Sequence, residues 1–152
     1  MHVRIAALGL AAALTARLAH PASAQSITYT AQMTGAQETP ATTSTATGTA
    51  TLTLIGSRLH YTVTVHNLSN TATAAHIHVG ATGVGGPPVY SFTVHHIKDG
   101  TVAAGTIDLN MAASPGVSGD SLKTLLSNGH AYVNVHTATD PNGEIRGQLM
   151  KQ

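Results

Sequence analysis

Hydrophobic and polar residues alternate with period two over most of this chain. Ile27, Tyr29, Ala31 and Met33 fall on one side of a run whose other side is Thr28, Thr30 and Gln32. Leu52 and Leu54 repeat the pattern within Thr49–Ile55, and Leu59, Tyr61, Val63 and Val65 do so against His60, Thr62, Thr64 and His66. Side chains of an extended strand point alternately to its two faces, so each run reads as a half-buried strand. Gly56-Ser57 joins the second and third runs as a hairpin turn. Further strands are predicted around His76 and His78 and over Val89–Val94, Val102–Leu109, His130–His136 and Gly143–Leu149. Stretches rich in Gly, Pro or Thr separate them, at 35–45, 80–88 and Asp140-Pro141-Asn142-Gly143. One segment breaks the rhythm. Leu122, Leu125 and Leu126 stand at helical spacing behind Ser118-Gly119-Asp120, with Gly129 as a stop, which predicts one short helix over Ser121–Asn128. About eight short strands and a single helix predict an all-β fold, an antiparallel sandwich or Greek-key barrel.

The first 24 residues do not follow this pattern. Arg4 precedes an apolar run rich in Ala and Leu, and Ala22-Ser23-Ala24 ends in a small-x-small series. That is the form of a secretory signal peptide, with cleavage after Ala24 and a β domain over 25–152. The apolar run is too short to span a bilayer, and no later segment is long and apolar enough to do so. The expected destination is the periplasm or the exterior. Loss of Arg4 and Arg17 with the leader leaves five basic against six acidic residues and moves the net charge from +1 to −1, with His neutral. A nearly neutral chain gives no electrostatic case for nucleic acid. There is no cysteine, so disulfides are excluded although an oxidising compartment would permit them.

Ten histidines remain the most conspicuous chemistry. In Ala74-Ala75-His76-Ile77-His78-Val79-Gly80, both imidazoles point to one face, roughly 7 Å apart at their roots. Ile77 and Val79 point to the other, where a core would lie. In His130-Ala131-Tyr132-Val133-Asn134-Val135-His136, the apolar residues take one face and His130, Tyr132, Asn134 and His136 the other. His60 and His66 also lie on non-core faces. If the strands share a sheet, His60, His66, His76, His78, His130 and His136 share a surface and are candidate metal ligands. Imidazole suits copper, zinc and nickel. Copper is favoured by the affinity order, with zinc second. Adjacent His95 and His96 point to opposite faces or sit in a turn, which does not suit one ion. Glu144 and Arg146 follow a tight turn and read as a structural ion pair or as hydrogen bonds to loop backbone; Glu38 reads as a loop-fixing residue. No nucleophile motif or phosphate-binding loop is present.

Five segments carry a family resemblance: Met33-Thr34-Gly35-Ala36-Gln37-Glu38-Thr39-Pro40, Thr47-Gly48-Thr49-Ala50, Ala75-His76-Ile77-His78, Tyr132-Val133-Asn134-Val135-His136-Thr137 and Gly143-Glu144-Ile145-Arg146-Gly147-Gln148-Leu149. In this order they resemble the CHRD (chordin-type) domain, common in exported bacterial proteins. The resemblance implies one all-β domain and supplies no settled activity. A second likeness concerns the site alone. A His-x-His strand, a later strand ending in His and an Arg near the C-terminus also occur in copper/zinc superoxide dismutases, which would give His76, His78, His136 and Arg146 comparable roles. The chain departs from those enzymes in lacking their disulfide and their His- and Asp-rich zinc loop. Three function classes follow: a metal-binding protein that handles copper outside the cytoplasm, a dismutase-like copper enzyme, and a metal-free interaction module at the cell surface. The first is the favoured expectation, with turnover not expected.

Overall fold

The computed structural model describes residues 25–111 and 117–152; the expected leader, residues 1–24, lies outside the described residues. The strands are β1 (Ser26–Thr34), β2 (Thr47–Ile55), β3 (Arg58–His66), β4 (Ala72–Val79), β5 (Pro88–Ser91), β6 (Gly100–Asp108), β7 (Ala131–Thr137), β8 (Ile145–Gln148) and β9 (Met150–Lys151). They form one antiparallel sheet in the order β5-β4-β7-β8-β1-β2-β3-β6, with β9 added beside β1. The expected all-β architecture is what the chain adopts, as a curled half-barrel sheet.

Alternation sets which face is inside. Tyr29, Leu52, Leu59, Val63, Ile77, Val133 and Ile145 are all at most 2% exposed and form the inner layer. The sheet curls until its two ends approach. Tyr61 of β3 packs against Tyr90 of β5, ring centroids 6.2 Å apart, and against Phe92 at 4.5 Å. The segment 92–98 bridges the gap with backbone hydrogen bonds to both sides. Phe92 N donates to Ala75 O of β4, and His95 N to Val102 O of β6. This is why the strand expected over Val89–Val94 ends at Ser91: the chain leaves the β4 edge to close the seam. Among the described residues one α-helix, α1 (Gly119–Ser127), buries Leu122 and Leu126 against the core, and Ser118 caps it by accepting a hydrogen bond from Ser121 N.

Glu144 and Arg146 are not partners. Glu144 is fully buried just before β8. Its Oε1 accepts from Ser44 Oγ at 2.7 Å and Ser69 N at 2.8 Å; its Oε2 accepts from Ser69 Oγ and Thr137 Oγ1, both at 2.7 Å. One carboxylate thus ties the segment before β2, the loop before β4 and the end of β7 to the start of β8. Of the two readings the sequence offered, an ion pair or hydrogen bonds to loop backbone, the second holds: Glu144 accepts from Ser69 N beside its three hydroxyls, and Arg146 donates to the carbonyls of Ala81 and Val84.

Candidate metal centre

The register of three neighbouring strands builds one outer-face cluster. Across β4, β7 and β8, His76 pairs with Asn134 and Asn134 with Arg146. In the next row His78 pairs with Tyr132 and Tyr132 with Gln148. His136 lies opposite Ala74, diagonal to His76. Because Ile77, Val133 and Val135 fill the inner face, strand alternation sends all of these groups outward.

His76, His78 and His136 converge. One nitrogen from each ring can be chosen so that all three lie within 4.8 Å of one another. His76 Nδ1 is 2.9 Å from His136 Nε2. Two of the tautomers are set from outside the cluster. His78 Nδ1 donates to Gly86 O at 2.8 Å, and His136 Nδ1 donates to Pro141 O at 3.0 Å. Each ring therefore turns an Nε2 lone pair toward the centre. The His78 Nε2 is buried without a hydrogen-bond partner. A buried, unpartnered acceptor costs stability unless something fills its lone pair.

The electrostatics favour uncharged rings. Burial pulls His76 down to about 4, with His136 and His78 adding to the effect. Burial also lowers His78, partly offset by the Gly86 carbonyl, and lowers His136, offset by the Pro141 carbonyl. Neutral imidazole is the form that ligates metal.

Although it lies on the non-core face, His78 is only 9% exposed. The loop 80–88 covers it. Four side chains hold that loop down: His78 through Gly86 O, Tyr132 Oη, which accepts from Gly86 N at 3.1 Å, Gln148, which donates to Gly80 O at 2.9 Å, and Arg146. The Arg146 guanidinium donates to Ala81 O at 3.1 Å and Val84 O at 2.9 Å, and its Cζ sits 3.4 Å from the Tyr132 ring centroid. Tyr132 also stacks on His78, centroids 4.9 Å apart and 17° between planes. Arg146 is thus a clamp on loop backbone. At Gly86, an added Cβ would fall 1.9 Å from Val79 O, so only glycine lets this carbonyl reach His78.

The other predicted histidines lie elsewhere. His60 is exposed on β3 and shares a hydrogen bond with Thr106 at 2.9 Å; His66, also on β3, pairs with Asp99 at 3.1 Å. β3 is four strands from β7, about 20 Å along the sheet. His130 is exposed just before β7, about 20 Å along the strand from His136.

Glu38 and Asn134 are neighbours that the sequence did not single out for the site. The half-buried Glu38 carboxyl is pushed up to about 7 by burial, against the lowering effect of Arg146 and of hydrogen bonds from Thr39 N and the Asn134 amide. It lines a cavity of about 380 Å³ with Asp140, Asn142 and Gly143.

A model of the CHRD domain matches residues 29–149. The chain belongs to the CHRD-domain family. The match runs from within β1 through β8 and includes all three histidines of the cluster. Neither the curated proteins nor the solved structures give a significant match. Among the described residues no helix is long and apolar enough to cross a membrane.

Proposed function

We propose that this CHRD-domain protein is exported and binds one transition-metal ion through His76, His78 and His136. The observation that carries the reading is the convergence of three imidazole nitrogens, one of them buried and unpartnered at His78. With metal–imidazole bonds of about 2.0–2.1 Å, tetrahedral neighbours lie about 3.3 Å apart. The ring nitrogens bracket that spacing, from 2.9 Å for one pair to an upper limit of 4.8 Å. Hydrogen bonds from the far ring nitrogens of His78 and His136 to backbone carbonyls are the outer support that metal-ligating histidines ordinarily have.

Copper is the favoured metal and zinc the second. An all-imidazole set suits both, and the affinity order places copper first. The reading is of binding or handling of the metal rather than turnover. Export is supported by the form of residues 1–24 and by the family, whose members occur in secreted or extracellular proteins.

Calorimetric titration of untagged protein with Cu(II) at pH 7 tests the proposal. One saturable tight site per chain is expected. The paired substitution His95→Ala with His96→Ala should leave that site unchanged, since both residues are exposed and outside the cluster. Absence of binding, or loss of the site in the 95/96 variant, would contradict the proposal.

A further inference from the structure

We propose that the side-chain oxygen of Asn134 is a fourth donor to this metal, giving a three-nitrogen, one-oxygen site; the inference rests on the metal reading above. Asn134 is the cross-strand partner of His76 and stands two residues before His136 on the same strand face. It is 3% exposed, so its amide has no solvent to turn toward. Its Oδ1 lies 3.0 Å from His136 Nε2, the same nitrogen that His76 Nδ1 approaches at 2.9 Å. One amide oxygen therefore lies beside the His76–His136 nitrogen pair.

The other end of the amide fixes this orientation. Its nitrogen lies on the side of the Glu38 carboxyl. Gly143 makes room for that contact: a Cβ there would lie 2.5 Å from Glu38 Oε1 and 2.9 Å from Asn134 Nδ2. An amide donates through nitrogen and accepts through oxygen. With Nδ2 held on the carboxyl side, Oδ1 is left facing the imidazoles. Because His136 Nδ1 donates to Pro141 O, its Nε2 carries a lone pair, and Oδ1 at 3.0 Å turns a second lone pair toward it. Coordination resolves the conflict. A neutral amide oxygen is a weak ligand, of the kind found in axial positions of copper sites.

Electron paramagnetic resonance of the full, untagged chain loaded with Cu(II) tests this, alongside copper titration of the same samples. Asn134→Ala should change the copper hyperfine splitting and weaken binding at least about tenfold. Asn134→Asp keeps the size and restores an oxygen donor, now charged. It should bind copper at least as tightly as the parent and give a third, distinct spectrum. Circular dichroism checks that each variant is folded; if Asn134→Ala does not fold, the isosteric Asn134→Asp still decides the question. Parent-like spectra in the folded variants would overturn the assignment, even if affinity fell, because they would leave Asn134 a purely structural neighbour. A parent chain that binds no copper would instead overturn the metal reading itself, and this inference with it.

Discussion

Paired replacement of His76 and His78 by alanine should abolish tight metal binding while leaving a folded protein of reduced stability. Two of three imidazoles are lost, so the affinity should fall by more than about 10²-fold, the upper end of what an outer-shell partner alone contributes. Sequence alone suggests that the fold would not notice, since neither ring faces the core. The covered position of His78 changes that expectation. The variant loses the stack on Tyr132 and the hydrogen bond to Gly86 O, together about 1–3 kcal/mol. Metal titration and thermal unfolding, run on one preparation, separate the two effects. An unchanged affinity would place the metal elsewhere, and an unchanged melting temperature would mean that His78 does not pin loop 80–88.

Glu144→Ala should be among the most damaging single substitutions in the chain. It would leave the hydroxyls of Ser44, Ser69 and Thr137 and the Ser69 N–H facing an empty, buried site. At about 1–3 kcal/mol for each buried donor left without a partner, partly relieved as the hydroxyls rotate, the loss should come to about 3–5 kcal/mol. That is a large part of the usual 5–15 kcal/mol of a domain, and about 10–20 °C in melting temperature at this size. The effect carries a pH signature. Burial alone would raise the Glu144 carboxyl, but hydrogen bonds from Thr137, Ser69 and Ser44 outweigh it and hold the group below its ordinary 4.5. The folded protein then binds a proton less readily than the unfolded chain. The contribution is present in full above about pH 4.5 and is lost as pH falls through the lowered folded value. Denaturant titrations of parent and Glu144→Ala should therefore converge as the medium is acidified below that point. A difference that stays constant down to strong acid would show that the carboxylate charge is not what stabilises the fold.

The strands were legible because their inner and outer faces differ chemically. Ile77 between His76 and His78, and Val133 between Tyr132 and Asn134, leave one way for each strand to face. What alternation cannot reveal is which strands are neighbours. His136 meets His76 because β4 pairs with β7, a contact between residues 60 apart in sequence. His60 and His66 have the same local signature and end up on the far side of the sheet. Asn134 escaped attention because an amide is not a common ligand type; its parity with His136 was the available signal. Loop 80–88 read only as a Gly- and Pro-rich connection. Its role as a cover depends on carbonyl contacts with His78 and Arg146, which composition does not encode. For Glu144 and Arg146 the sequence left an ion pair and hydrogen bonds to loop backbone both open, and only the distant loops decide between them. Glu144 is held by three hydroxyls and Ser69 N, and Arg146 by loop carbonyls and the Tyr132 ring.

Crystals of the untagged protein soaked in copper, with diffraction recorded across the copper absorption edge, test the central claim most directly. The account predicts one strong anomalous peak on the outer face of β4 and β7, at bonding distance (about 2.0–2.2 Å) from one nitrogen each of His76, His78 and His136. A peak only at His95 and His96 or at His66 and Asp99, or no peak at all, would contradict it.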